Sequence, residues 1–162
     1  MQLLSDGEYH SGEALGQALG VSRMAVWKQA KALREAGIDL QTLHGKGYRL
    51  PAAVELLDPE LIHLAAAPAT REGLDSIEIL LDIDSTNNHL RARALQGAPA
   101  GSVCLAERQH GGRGRRGRAW VSPFAANLYF SLLWRISGGA MALGGLSLVT
   151  GIAVMRGLRC FG

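Results

Sequence analysis

Residues 108–120, RQHGGRGRRGRAW, hold the densest concentration of reactive side chains in the chain. Arg108, Arg113, Arg115, Arg116 and Arg118 fall within eleven residues, interleaved with Gly111, Gly112, Gly114 and Gly117, and no carboxylate interrupts them. Arginine keeps its charge at any physiological pH and offers a planar fork of donors matched to carboxylate or phosphate oxygens. Glycine allows positive φ and lets backbone N–H groups come close to a ligand. The composition is therefore that of an anion cradle. The alternative is a solvated arginine-glycine segment that touches RNA or DNA without sequence preference. The flanks favour the cradle: Trp120, Ser122, Pro123 and a strand-like run over 127–134 clamp the segment between ordered elements.

A second polar group stands upstream. Residues 77–83 (IEILLDI) read as an apolar strand, and the pattern changes to helical over 88–95. Ser85, Thr86 and Asn87 fall between the two, at a strand end and helix start. Free backbone N–H groups and hydroxyls there can receive a polar ligand, or Ser85 can simply cap the helix. Residues 102–107 form the next strand and deliver Gln109 and the arginine loop. Over 127–134 Leu128, Phe130, Leu132 and Trp134 alternate with Asn127, Tyr129, Ser131 and Leu133, which predicts a strand with one well-buried face. Asp58 and Pro59 open a short helix through Ala66, and 140–161 reads as a closing helix packed on the sheet. This order predicts an α+β fold with helices to one side of the sheet.

The first fifty residues predict a separate unit. Residues 13–19 form a short helix with Leu15 and Leu19 on one face, Gly20 breaks it, and Ser22 caps a second helix that ends at Gly37. Val26, Ala30 and Leu33 recur there at core spacing. Gly16 and Gly20 allow the close crossing of a helix-turn-helix. Residues 38–43 and 47–50 then make a hairpin around Gly45, Lys46 and Gly47, completing a winged helix. In that arrangement the second helix enters the major groove N-terminus first. The DNA-contact candidates are Ser22, Arg23, Met24 and Lys28, with Lys46 on a backbone phosphate. The domain plan is 1–52 winged helix, 53–76 linker and short helix, and 77–162 a second domain.

Charge is unevenly placed. Residues 1–50 sum to +1, 51–107 to −6 and 108–118 to +5, within a net +3. Basicity this local is aimed at one small anionic partner rather than at a long polyanion, and +1 makes the winged helix a weak DNA binder unless two copies pair. Residues 136–155 carry no charge, but five glycines, two serines and a threonine dilute them, so a buried helix is expected rather than a membrane span. Cys104 and Cys160 lack metal or redox spacing and read as reduced core thiols of a cytoplasmic protein; no secretory leader opens the chain and no protein-bound metal is expected.

The succession of winged helix, Asp84-Ser85-Thr86-Asn87, AERQHGGRGRRGRAW over 106–120 and SPFAANLYFSLLWR over 122–135 resembles the bacterial bifunctional biotin–protein ligase and biotin operon repressor. The resemblance runs from about Leu4 to Gly162, and GRGRRGR is its most specific feature. It implies a class II synthetase-like mixed sheet and an ATP-dependent biotin–acetyl-CoA-carboxylase ligase. Biotin and ATP would be substrates, with Mg2+ accompanying ATP. The partners it implies are the biotin carboxyl carrier protein, biotin operator DNA, and a second copy of the chain once the adenylate is bound. By resemblance Ser85, Thr86, Asn87 and Gln109 line the biotin pocket. Arg113, Gly114 and Arg115 hold the biotin carboxylate and adenylate phosphate, Arg113 and Arg115 stabilising the adenylate. Arg115, Arg116, Arg118 and Trp120 form the nucleotide side. The family's later segments, a KWPND strand whose lysine contacts the adenylate, a GxGxN segment and a small C-terminal domain, do not occur here. The expectation is that this chain alone does not catalyse ligation. A plain winged-helix regulator that senses another small carboxylate is the competing reading.

Overall fold

The structure is a computed structural model that describes residues 1–112, 116, 118, 120–137 and 143–160. A short 3-10 turn, Gln2–Leu4, precedes α1 (Gly12–Leu19) and α2 (Arg23–Glu35). Both helices start where a serine hydroxyl takes an orphan N–H: Ser11 Oγ accepts from Ala14 at 3.0 Å and Ser22 Oγ from Ala25 at 3.2 Å. Gly20, at φ +65, closes α1 in the left-handed region and turns the chain back. The crossing is tight because Gly16 lacks a side chain: a Cβ there would come within 2.8 Å of the Val21 carbonyl oxygen.

The wing comes next as β1 (Gln41–Leu43) and β2 (Gly47–Arg49), antiparallel with Leu43 opposite Gly47. His10 adds a third rung, exchanging two 2.9 Å backbone bonds with Tyr48. Leu4, Leu15, Val26, Ala30, Ile38, Leu40, Tyr48 and Leu50 form the core of this unit, and Leu33 packs at its edge. Leu19, expected beside Leu15, remains half exposed because the helix ends before a neighbour covers it.

The linker is held at both ends. Val54 N–H bonds to the Ser5 carbonyl at 2.8 Å, and Leu57 N–H bonds to Glu107 Oε1 at 2.6 Å. Asp58 then caps α3 (Pro59–Ala65), its Oδ1 accepting from Glu60 and Leu61. A second short helix, α4 (Pro68–Gly73), lies where the sequence pattern predicts none; Pro68 starts it at a position where no N–H is needed. The sheet consists of β3 (Ser76–Leu80), β4 (Ser102–Ala106) and β5 (Tyr129–Leu132) in the order β3-β4-β5. β3 runs parallel to β4 with Ser76 opposite Ser102, and β5 runs antiparallel with Ala106 opposite Tyr129. α5 (Thr86–Leu95) is the crossover between β3 and β4 and covers one sheet face with Leu90 buried. The Glu78 carboxylate on that face reaches His89 of α5 at 2.8 Å, which explains an acid inside an apolar strand.

Three expectations need correction. On β5 the buried side is not the apolar one: Tyr129 is 7% exposed, whereas Leu128, Phe130, Leu132 and Trp134 are about half exposed or more. α5 lies over the Tyr129 and Ser131 side, and no described element covers the other. The closing helix α6 (Leu146–Leu158) buries no residue, since the described residues offer its apolar side chains no opposing face. Cys160, on the turn after α6, is consequently exposed, and only Cys104 is a core thiol. Burial pushes the Cys104 thiol up to about 11, with Glu78 adding to the effect, so it is an inert neutral group.

Candidate functional site

β3 ends at Leu80, short of the expected Ile83, but its partnership with the β4 segment continues. Glu107 N–H bonds to the Leu80 carbonyl at 2.9 Å, Ile83 N–H to Arg108 at 3.2 Å, and His110 N–H to Ile83 at 2.9 Å. Ile83 and Gln109 form a parallel bridge. This extension carries the Ser85-Thr86-Asn87 turn and Gln109 to the same end of the sheet. Thr86 is 3% exposed, and its N–H and hydroxyl both donate to Gln109 Oε1, at 3.0 and 3.1 Å. Ser131 of β5 stands 2.9 Å from the Thr86 hydroxyl. A backbone N–H can only donate, so the Gln109 atom it meets is the amide oxygen. The Gln109 amide nitrogen has no hydrogen-bond partner among the described residues, and its two N–H groups are available to a ligand acceptor. From the other side Ser122 Oγ accepts the Gln109 N–H at 2.8 Å.

Ser85 caps α5, its Oγ accepting from the Asn88 N–H at 3.3 Å, which is the capping role that the sequence offered as its alternative. Asn87 is exposed beside it. The Asn88 side chain bonds to Asp84 at 3.1 Å and, with the Ser85 N–H, holds the Asp84 carboxyl below the usual range. Sequence reasoning does not single out Ser131 as a site residue. The strand pattern does place it opposite the leucines and phenylalanine, but nothing local shows which face meets α5.

Of the arginines, Arg108 departs from the cradle. Its Nη1 donates to the Ala36 carbonyl at the C-terminus of α2 and lies 3.8 Å from Asp82 Oδ1. The guanidinium covers Gly37, at φ +82, where a Cβ would approach Nη2 to 2.8 Å. Asp82 also meets His110 Nδ1 at 3.1 Å. Arg108 thus joins the site segment to the winged helix through Ala36 and is paired with Asp82 of its own domain. Arg116 and Arg118 are exposed, Arg116 in the left-handed region at φ +58. Trp120 is half exposed, and its ring lies so close to Gly112 that a Cβ there would collide. Arg113, Gly114 and Arg115 lie outside the described residues.

Of the DNA-contact candidates, Arg23 and Lys46 are brought together. Ser22 is spent on its cap, while Arg23 and Lys46 both line a 300 Å³ groove between the start of α2 and the wing, with Thr42 and His44. Met24 and Lys28 are exposed on α2. Two aromatics join this surface without a local sequence signal. Trp27 is 43% exposed with Lys31 over its ring at 5.8 Å, and Tyr9 carries Lys46 at 5.9 Å and Arg49 at 4.6 Å. Among the described residues no cluster of three or more His, Cys, Asp or Glu could hold a metal, and no helix is long and apolar enough to cross a membrane.

A winged helix tied by a short linker to a mixed sheet whose strand ends carry a hydroxyl–amide cluster defines a class: a helix-turn-helix unit joined to an α+β domain. Comparison with known proteins sharpens it. Residues 1–49 match the HTH domain family, and residues 81–160 match the biotin/lipoate A/B protein ligase family. The bifunctional ligase/repressor BirA of Salmonella typhimurium is 48% identical over 164 residues, covering 100% of this chain and 48% of that protein. The Escherichia coli protein of the same name is 47% identical over 160 residues, with 99% and 48% covered. The biotin–acetyl-CoA-carboxylase ligase of Paracoccus denitrificans is 46% identical over 87 residues, covering 51% of this chain and 34% of its own. The chain belongs to the bifunctional ligase/repressor family, and it spans about half the length of the curated relatives it matches.

Proposed function

We propose that the protein carrying this chain activates biotin with ATP and transfers it to a lysine of the biotin carboxyl carrier protein of acetyl-CoA carboxylase, and that its winged helix reads biotin operator DNA. In the first step a biotin carboxylate oxygen bonds to the α-phosphorus of ATP while the bond to the β-phosphate oxygen breaks, releasing pyrophosphate. A carboxylate approaching a phosphate is repulsive, and Arg113 and Arg115 neutralise both partners. Gly114 lets the backbone come close, and Arg116, Arg118 and Trp120 serve the nucleotide side. In the second step the lysine amine attacks the acyl carbon and AMP leaves. Magnesium arrives with ATP as part of that substrate. The protein acts in the cytoplasm, and binding of the adenylate pairs two copies, which supplies the DNA affinity that a winged helix of net +1 lacks alone.

The observation that carries this reading is the Gln109 amide, whose oxygen is held by the Thr86 N–H and hydroxyl at the strand ends and whose N–H groups have no hydrogen-bond partner among the described residues. The biotin ring supplies such an acceptor in its urea carbonyl, and Ser85 and Asn87 stand beside it. Calorimetric titration of the chain with biotin and with a hydrolysis-resistant biotinyl-adenylate analogue tests the reading. Heat with either supports it; none with both overturns it. The competing reading, a regulator that senses another small carboxylate without chemistry, is favoured if the protein at its relatives' full length neither binds biotin nor releases pyrophosphate with biotin and ATP.

A further inference from the structure

The hydrogen bonds at the strand ends have a defined direction. Gln109 Oε1 has no proton, so the single hydroxyl proton of Thr86 is committed to it. The 2.9 Å contact between Thr86 Oγ1 and Ser131 Oγ can then be made only with Ser131 as donor. The chain of donation runs from β5 to the start of α5 to the end of β4: Ser131 O–H to Thr86 Oγ1, Thr86 O–H and N–H to Gln109 Oε1. Ser131 lies opposite the buried Cys104, and the nearby Glu78 carboxylate is bonded to His89 and not to this chain of donation. We propose that Ser131 is a positioning residue: by donating to Thr86 it keeps the Gln109 amide oriented with N–H groups, not oxygen, toward the ligand. The proposal rests on the biotin reading above and adds a specificity determinant to it.

Without Ser131 the Thr86 hydroxyl is freed to rotate away from Gln109, and the amide is left with one donor holding its oxygen. It can then turn over and present Oε1 to the ligand. A site with fixed N–H donors favours a carbonyl; a site whose amide flips also accepts a ligand that offers N–H in its place. Biotin and 2-iminobiotin, in which the urea carbonyl oxygen is replaced by an N–H-bearing nitrogen, form that pair.

The test is calorimetric titration of wild type, Ser131→Ala and Ser131→Thr with both ligands. Ser131→Ala is expected to weaken biotin by roughly threefold to tenfold, the value of one neutral hydrogen bond, and to weaken 2-iminobiotin less, so that the ratio of affinities falls. Ser131→Thr keeps the hydroxyl and restores the ratio. A role confined to stability would lower the melting temperature of Ser131→Ala without changing the ratio. Should that variant fail to fold, Thr86→Val removes the same proton relay and is expected to lower the ratio; in that background Ser131→Ala has no additional effect. A wild-type ratio in Ser131→Ala or Thr86→Val overturns the positioning role while leaving the biotin reading intact. Absence of biotin binding by wild type overturns both.

Discussion

Replacing Glu107 tests whether the sheet, the linker and the winged helix are joined as described. Its carboxylate is 3% exposed at the end of β4, and Oε1 accepts the Leu57 N–H at 2.6 Å. Burial pushes its carboxyl above the usual range, and the Leu57 bond pulls it partly back. An acid whose pKa is higher folded than unfolded binds more protons when folded, so its contribution to stability is fully present below the unfolded value and is lost as pH rises through the folded one. Glu107→Gln keeps an oxygen for Leu57 and removes the charge. Relative to wild type it is expected to gain stability as pH rises from about 5 to about 8, with no gain at the acid end. Glu107→Ala removes the acceptor. An orphaned buried N–H costs about 1–3 kcal/mol, but a 210 Å³ cavity lined by Glu55, Leu57, Glu107 and Asn127 admits water here. The low end applies, about 1 kcal/mol, or roughly 2–4 °C in melting temperature for a chain of this size. Urea denaturation of the three proteins across that pH range measures both effects. A difference between wild type and Glu107→Gln that stays flat with pH, or a Gln variant as unstable as the Ala variant, would refute the reasoning.

The winged helix yields two further expected outcomes. Gly16→Ala places a Cβ 2.8 Å from the Val21 carbonyl and is expected to cost about 1–3 kcal/mol, abolishing operator binding in a gel-shift assay while biotin titration is unchanged; unaltered operator binding would show that the crossing is not tight. Lys46→Ala is expected to weaken operator binding equally across sequences and to reduce the slope of log affinity against log salt by about one, and a change in sequence preference would place the side chain on a base instead of a phosphate.

Much of the N-terminal unit is legible in the chain because its signals are local. Ser11 and Ser22 cap the helices that begin beside them, Gly20 must turn left-handed to end α1, and Gly45 and Gly47 do the same in the wing. Such preferences act over a few residues and need no partner. The Ser85-Thr86-Asn87 turn and Gln109 are likewise marked by type and position, since a polar cluster between a strand and a helix has few other uses. Their meeting is not marked, because a parallel register between β3 and β4 is set by the crossover α5 and not by either strand alone.

The sequence by itself determined where the serine- and aspartate-capped helices begin, that hydroxyls and an amide stand at strand ends, and that arginine gathers in one segment: capping, turn geometry and charge are properties of neighbouring residues. Only the tertiary structure decided that Tyr129 and Ser131, not Phe130 and Leu132, face α5, and that Arg108 leaves the arginine cluster for the Ala36 carbonyl and Asp82. Burial and ion pairing depend on which surface arrives opposite a side chain. That surface comes from residues 26 to 72 positions away, beyond the reach of any local pattern.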